Sequence, residues 1–153
     1  MEKRVIEVLA QRGKTLAVAE SCTGGLCAKR LTDISGASAV FCGGVVSYVN
    51  EVKMRLLGVK EETLATCGAV SAETAREMAE GVRRVTGADF ALSVTGVAGP
   101  TSDELGNVVG TVFIAFSSEE KTISEKLQLS GDREKVREQS VNAMLWLLLR
   151  QMM

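Results

Sequence analysis

Amphipathic helical segments alternate regularly with short apolar runs along this chain, and few folds accommodate that order. Residues 2–12 place Val5, Val8 and Leu9 on one helical face, and the apolar run 16–19 that follows is typical of a buried strand. The predicted helices cover residues 2–12, 23–34 and 49–56, a segment after an N-cap at Ser71, and a segment that begins near Asp132. The predicted strands cover residues 16–19, 40–48, 90–94, 108–116 and 121–129.

This alternation predicts an α/β fold in which helices cover both faces of the sheet. Too few residues separate the strands 108–116 and 121–129 for a helical crossover, so we expect an antiparallel hairpin there and a mixed sheet overall. No repeat, low-complexity tract or linker interrupts the pattern, and 153 residues are enough to bury one core. We therefore expect residues 1–153 to form a single domain.

Charge and hydropathy narrow the range of partners. The chain carries 18 basic and 19 acidic residues, and no basic run stands out, so we expect no nucleic-acid partner. The charged N-terminus lacks the apolar core of a signal peptide. The longest apolar run, residues 143–149, is far shorter than the roughly 20 residues that a membrane span needs. We expect a cytoplasmic protein with no membrane partner.

The absence of histidine restricts the chemistry. It excludes Ser-His-Asp and Cys-His catalysis, and acid–base work falls to Lys, Asp, Glu, Cys or the single tyrosine. The four cysteines, at positions 22, 27, 42 and 67, form no C-x-x-C pair, so we expect free thiols that are mostly buried. We expect no metal and no cofactor.

The segment Ala19–Gly25 joins the first predicted strand to a helix, where open α/β sheets usually bind ligands. Ser21 in this segment is a candidate nucleophile, and amides at a helix start suit an oxyanion or a phosphate. The alternative is that Ser21 or Thr23 simply caps the helix. Without histidine, a serine nucleophile needs a lysine as its base, and that lysine must lose its charge through burial or a neighbouring cation. Lys53 is a candidate, although a solvated helix residue is the other reading of that position.

Two further features suit a polar ligand. Thr95 and the amides that follow it, including that of Gly96, lie where another strand enters a glycine-bearing turn, though a plain tight turn closed by Pro100 explains them equally. Arg133 and Arg137 are four residues apart at the start of the last helix and therefore share a face. Such a pair binds phosphate or carboxylate, or else faces water.

Taken together, several segments resemble the C-terminal domain family of competence-damage-inducible protein A, CinA. The segments are A-E-S-C-T-G-G at 19–25, F-C-G-G-V-V-S-Y-V-N-E-V-K at 41–53, M-A-E-G-V-R at 78–83, A-L-S-V-T-G-V-A-G-P at 91–100 and V-G-T-V-F-I-A at 109–115. The resemblance covers nearly the whole chain in one order. It implies a three-layer α/β/α sandwich with a mixed, mainly parallel five-stranded sheet, in a stand-alone, homo-oligomeric form of the domain.

The resemblance also implies a function. Family members are similar to amidohydrolases that convert nicotinamide mononucleotide and water to nicotinate mononucleotide and ammonia. The family's serine nucleophile matches Ser21, its lysine matches Lys53, and Tyr48 and Thr95 match further active-site positions. The resemblance implies that Tyr48 is catalytic and either relays a proton or fixes the lysine. Backbone amides of Thr23, Gly24 and Gly25 are then expected to hold the oxyanion, with Thr95 and Gly96 on the substrate and Arg133 or Arg137 on its phosphate.

One segment departs from the family pattern. After Gly99-Pro100 the family usually carries a glycine pair and then a lysine-proline pair, whereas this chain has the acidic loop 101–108. An inactive nucleotide-binding or partner-binding module of the same fold is therefore the alternative function. A nucleophilic Cys22 is a third hypothesis, and it too needs a neighbouring base.

Overall fold

The computed structural model of the chain describes residues 1–153 and contains the predicted alternation. The six helices are α1 (Glu2–Arg12), α2 (Leu26–Thr32), α3 (Asn50–Leu57), α4 (Glu61–Cys67), α5 (Ala72–Thr86) and α6 (Arg133–Gln151). The five strands are β1 (Leu16–Glu20), β2 (Phe41–Val46), β3 (Phe90–Gly96), β4 (Thr111–Ser117) and β5 (Thr122–Gln128). A short 3-10 helix, Ala37–Ala39, leads into β2.

The strands form one mixed sheet in the order β2-β1-β3-β4-β5. β1 pairs in parallel with both β2 and β3, whereas β4 runs antiparallel to β3 and to β5. Four strands therefore point one way and β4 points the other, which confirms the mixed sheet. The predicted hairpin is also confirmed, because Ser117 at the end of β4 lies opposite Thr122 at the start of β5.

Helices cover both faces of the sheet and give the predicted α/β fold its three layers. α5 lies on one face with α3 and α4 packed against it, and α1, α2 and α6 cover the other face. Successive residues of β1 point to opposite faces, as a pleated strand requires. Leu16 and Val18 enter the larger apolar cluster with α1, α2 and α6, while Ala17 and Ala19 enter the smaller cluster beneath α5.

Close packing between α3 and α5 fixes the position of α3. Gly81 of α5 lies so near the Leu57 carbonyl at the end of α3 that a Cβ at that position would collide with it. Lys53 and Leu57 are four residues apart and both are buried, so they share the face that α3 turns toward the protein interior. This packing places a lysine inside the fold.

The structure corrects two predicted boundaries and adds one helix that was not predicted. α2 begins at Leu26 rather than at residue 23, because Gly24 and Gly25 adopt φ of 60° and 103°, outside the helical region. β4 begins at Thr111 rather than at 108, after a turn in which Gly110 has φ of 90°. α4 was not predicted: it is seven residues long and buries none of them, so it has no apolar stripe to detect.

Candidate active site

Ser21 directly follows β1 at the carboxyl end of the parallel strands, and the residues Ser21–Gly25 are called the nucleophile turn below. Its backbone is held on both sides. The Ser21 amide donates to the Val94 carbonyl at 3.1 Å, and the Gly24 amide donates to the Ser21 carbonyl at 3.0 Å. Ser21 therefore extends the β1–β3 ladder by one residue, and its side chain projects at the point where the strand ends.

Lys53 meets Ser21 across this end of the sheet. Its Nζ donates to Ser21 Oγ at 2.9 Å and to the Ser47 carbonyl at 2.7 Å. Ser47 is itself anchored, since its amide donates to the Glu20 carbonyl at 2.8 Å. β1 and β2 are parallel neighbours, so the residues that follow them come together, and α3 then returns Lys53 toward Ser21. The structure thus brings the predicted nucleophile and base into direct contact.

The environment of Lys53 favours its neutral form. The side chain is 1% exposed and takes part in none of the chain's ion pairs. Burial penalises the charged ammonium and lowers the pKa of Lys53 from 10.5 to about 8. At neutral pH about a tenth of the molecules then carry a free amine, against fewer than about one in a thousand for an ordinary lysine. Lys53 can accept a proton from the serine hydroxyl.

Cys22 is the neighbour of Ser21 and lines the same cavity. Burial raises the pKa of its thiol to about 12, so the thiol stays protonated near neutral pH. An unionised thiol is a poor nucleophile, and the only amine in contact with this turn hydrogen-bonds Ser21. The geometry therefore favours Ser21 over Cys22 as the attacking group.

A cavity of about 270 Å³ opens above the Ser21–Lys53 pair. Its lining includes Tyr48, Thr95, Gly96 and Arg133, so the structure gathers these predicted residues around Ser21. The Thr95 hydroxyl donates to the Ala69 carbonyl at 2.8 Å, which fixes the side chain but leaves its oxygen free to accept a hydrogen bond. Gly96 is required by its packing, because a Cβ there would crowd the backbone of Thr111 and Val112.

Arg133 and Tyr48 form one rim of the cavity. The Arg133 guanidinium donates to the Gly99 carbonyl at 2.6 Å and to the Tyr48 hydroxyl at 2.9 Å. Tyr48 is 57% exposed, so its ring stands at the mouth rather than in the core. Its hydroxyl bonds Arg133, whereas Lys53 bonds Ser21 and Ser47, so Tyr48 does not fix the lysine by a hydrogen bond in this structure. A cation fixed at the mouth by two acceptors is suited to meet an anionic part of a ligand whose neutral part lies deeper.

Four predicted binding residues do not line the cavity: Thr23, Gly24, Gly25 and Arg137. The Gly24 amide is occupied by the Ser21 carbonyl, so it is not free to hold an oxyanion. Thr23 is fully buried, and Arg137 donates to its carbonyl at 2.8 Å. The two arginines of α6 therefore separate in role: Arg133 faces the cavity, and Arg137 supports the nucleophile turn from behind.

Several lining residues were not predicted. Asn50 and the loop residues Thr101, Ser102 and Asp103 all reach the cavity. Asp103 is already engaged, because its carboxylate accepts from the Asn107 amide at 2.7 Å and from the Asn107 side chain at 2.6 Å. The acidic loop thus uses its charge to order its own backbone. No local pattern marks the three loop residues, which reach the site only through the loop conformation, whereas Asn50 reaches it as the first residue of α3.

Two further observations concern metal binding and membrane spanning. No three of the Cys, Asp and Glu side chains converge where they could hold a metal ion. None of the helices is both long enough and apolar enough to cross a bilayer.

The fold and the site together define a class: an α/β domain with a buried serine–lysine pair at the carboxyl end of its parallel strands. Within that class the chain belongs to the CinA family, because residues 1–152 match the family described as CinA C-terminal domain. The chain is 55% identical over 141 residues to a competence-damage inducible protein of Thermoanaerobacter pseudethanolicus, covering 92% of this chain and 34% of that protein. It is 47% identical over 137 residues to a CinA-like protein of Kosmotoga olearia, covering 90% of this chain and 33% of that protein.

The chain thus spans about a third of the length of these curated relatives. Solved structures match it more completely. A CinA superfamily protein from Klebsiella pneumoniae superposes with a TM-score of 0.96 at 36% identity, covering 99% of this chain and 94% of that one. The competence/damage inducible protein CihA from Agrobacterium tumefaciens superposes with a TM-score of 0.94 at 38% identity, covering 97% and 92% of the two chains.

Proposed function

We propose that this chain is an amidase that converts nicotinamide mononucleotide and water to nicotinate mononucleotide and ammonia. One observation carries the proposal: the buried Lys53 Nζ lies 2.9 Å from Ser21 Oγ, with no carboxylate to hold its proton. The choice of substrate is supported by the resemblance of the family to nicotinamide-nucleotide amidohydrolases. The cavity of about 270 Å³ lies slightly below the usual range of small-molecule sites, which begins at about 300 Å³.

In the acylation step, Ser21 Oγ attacks the carboxamide carbon while its proton passes to the Lys53 amine. The carbonyl oxygen becomes an oxyanion. When this intermediate collapses, the carbon–nitrogen bond breaks, and the leaving nitrogen takes a proton from the Lys53 ammonium and departs as ammonia. Ser21 is left as an ester of the pyridine carboxylate, and Lys53 is neutral again.

In the deacylation step, a water molecule gives a proton to Lys53 and its oxygen attacks the ester carbon. Collapse of the second intermediate breaks the bond to Ser21 Oγ, which takes the proton back from Lys53. The product leaves as a carboxylate, and the proton it loses is taken up by the released ammonia. One amine thus serves as base and acid in both halves of the reaction.

The backbone amides of the nucleophile turn support one assignment of the oxyanion donor. Those of Cys22, Thr23 and Gly25 donate to no backbone carbonyl, and of these three residues only Cys22 lines the cavity. We therefore assign the Cys22 amide as the turn's oxyanion donor. Arg133 at the rim, rather than Arg137 behind the turn, is assigned to the phosphate.

The test is ammonia release from nicotinamide mononucleotide by the wild type, Ser21→Ala and Lys53→Met. We expect activity in the wild type and a loss of at least about a thousandfold in both variants, because each removes a group that takes part in bond making or proton transfer. Ser118→Ala and Lys121→Met are matched controls in the turn between β4 and β5, at the other end of the sheet, and should retain activity.

Other results would redirect the proposal. A wild type that is silent yet binds nicotinamide mononucleotide in calorimetry would indicate the inactive nucleotide-binding module. An active Ser21→Ala protein would refute the mechanism itself, whichever amide is cleaved.

A further inference from the structure

Glu20, the last residue of β1, is a buried carboxylate beside the nucleophile. It is 1% exposed and takes part in none of the chain's ion pairs. Three donors compensate it: the Thr23 hydroxyl at 2.6 Å, the Cys27 amide at 2.9 Å and the Ala28 amide at 3.0 Å. The carboxylate thus satisfies two of the free amides at the start of α2, where the N-cap residue, Gly25, has no side chain to do so.

This is a costly way to cap a helix. Removing a carboxylate from water without a cation partner is unfavourable, whereas a serine or aspartate at the N-cap, half in solvent, does the same work cheaply. The extra cost is explained if the interaction does more than cap. The hydrogen bonds of Glu20 reach across the whole nucleophile turn, from the end of β1 before it to the first turn of α2 after it.

Thr23 is the second half of this arrangement. Its side chain is fully buried and its hydroxyl donates to Glu20, so it presents no group to the cavity. Its carbonyl accepts from Arg137 at 2.8 Å and from the Leu26 amide at 3.1 Å. Thr23 is therefore held at both ends of the residue, one fixed point within a turn that otherwise contains two glycines.

The backbone of Glu20 connects the same region to the base. Its carbonyl accepts from the Ser47 amide at 2.8 Å, and the Ser47 carbonyl accepts from Lys53 Nζ at 2.7 Å. One residue thus holds the nucleophile turn through its side chain and the support of Lys53 through its main chain. A shift of Glu20 would change the distance between Ser21 and Lys53.

We propose that Glu20 and Thr23 are positioning residues, and that their buried hydrogen bond holds the nucleophile turn in reach of Lys53. Neither residue touches the substrate in this account. The inference rests on the proposed function in so far as Ser21 must be a nucleophile, but it does not depend on which amide is cleaved.

The test measures the reactivity of Ser21 directly, by the rate at which a fluorophosphonate probe labels it, read by intact mass. Glu20→Gln keeps the shape but replaces one acceptor oxygen with a donor that faces a backbone amide, so we expect labelling at least about tenfold slower, since small misplacements of reacting groups cost up to about a hundredfold. On an amide substrate that the wild type hydrolyses, the kcat of Glu20→Gln should fall by a similar factor and its KM should stay within about twofold of the wild-type value.

Two substitutions of Thr23, similar in size, separate the effect of its hydroxyl from that of its shape. Thr23→Val removes only the hydroxyl and should slow labelling about tenfold, whereas Thr23→Ser keeps a hydroxyl and should label several times faster than Thr23→Val. Asp89→Asn is the matched control, a carboxylate at the other end of the sheet that accepts from the Thr15 amide at 2.9 Å. It should label at the wild-type rate.

The outcomes separate the two proposals. A wild type that labels without releasing ammonia refutes the substrate and leaves the positioning role to be decided by the variants. Folded Glu20→Gln and Thr23→Val proteins that label at the wild-type rate would overturn the positioning role alone, as would a Thr23→Val protein with raised KM and unchanged kcat. If Glu20→Gln fails to fold, the two Thr23 variants decide. A wild type that neither labels nor releases ammonia overturns both.

Discussion

The two ends of the sheet have opposite effects on the charge of a buried or half-buried side chain. At the end where β1 and β3 begin, the Asp89 carboxylate accepts from the amide and hydroxyl of Thr15 at 2.9 and 3.0 Å and lies 3.9 Å from Lys14. The hydrogen bond from the Thr15 backbone lowers the pKa of Asp89 and so favours its charged form. At the end where these strands finish, burial lowers the pKa of Lys53 to about 8 and favours its neutral form.

The lowered pKa of Asp89 therefore reflects an interaction that stabilises the fold. The lowered pKa of Lys53 reflects the free-energy cost of burying its charged form. The folded chain gains from ionising Asp89, which ties the two loops at that end together. It loses from burying Lys53 as a cation, and no carboxylate offsets the loss. A fold keeps such a group when the neutral amine has a use, and the contact with Ser21 Oγ supplies one.

The largest effect is on the pH dependence of catalysis. Because Lys53 must be neutral to accept the serine proton and its pKa is about 8, kcat/KM should rise about tenfold per pH unit below pH 8 and level off above it. Measurement of ammonia release between pH 6 and 10 gives the profile. A rate that keeps rising to pH 10 would show an ordinary lysine, and a flat profile would show that no amine of this kind takes part.

The next effect is on stability. The shift of the Lys53 pKa from 10.5 to about 8 corresponds to roughly 3 kcal/mol, and the two hydrogen bonds lost on substitution return about 1–2 kcal/mol. Lys53→Met should therefore raise the free energy of unfolding at pH 7 by about 1–2 kcal/mol while it abolishes activity.

The advantage of Lys53→Met should also depend on pH. Between pH 8 and about 10.4 the unfolded wild type binds the Lys53 proton and the folded one does not, so wild-type stability rises with pH across that window. Urea unfolding at pH 7 and pH 10 should show the gap between the two proteins closing. A variant that is less stable than the wild type at pH 7 would contradict the cost assigned to Lys53. Lys121→Met controls for the loss of a surface lysine.

The smallest effect is at the other end of the sheet. Asp89→Asn weakens hydrogen bonds to a charged acceptor that is partly in solvent, so we expect a loss of only about 0.5–1 kcal/mol in stability. The contribution of Asp89 is present above its ordinary pKa and disappears as the pH falls through the lowered folded value. The difference between variant and wild type should thus shrink in acid. A loss of activity in Asp89→Asn as large as that in Lys53→Met would contradict the contrast between the two ends of the sheet.

Much of the fold followed from the sequence because its signals are local. In α5, Ala75, Met78, Ala79 and Val82 mark one face, and the predicted cap is confirmed by the Thr74 amide, which donates to Ser71 Oγ at 3.2 Å. The predicted start of α2 was wrong because two glycines in non-helical conformations precede the helix, and its cap is the side chain of Glu20. That cap spans seven residues, beyond the range of any helix-start pattern.

In the candidate site too, some residues are marked by the local sequence and others depend on how the helices pack. The position of Ser21 at a strand end was visible in the sequence, but Lys53 was selected by resemblance, since burial depends on how α3 packs against α5. The role of Glu20 has a sequence signal of its own. It is a charged residue that ends an otherwise apolar strand directly before the nucleophile. An acidic residue in that place needs several donors, and a free helix start provides them.

The most direct test of the central claim is the titration of Lys53 itself. Lysines labelled with 13C at Cε can be followed by NMR from pH 6 to 12, and the resonance missing in Lys53→Met identifies Lys53. We expect a midpoint of about 8 for this one resonance, and Ser21→Ala should move that midpoint by less than about one pH unit, because burial is the main cause of the lowered pKa. A Lys53 midpoint near 10.4, like that of the surface lysines, would contradict the claim that Ser21 is activated by a neutral amine.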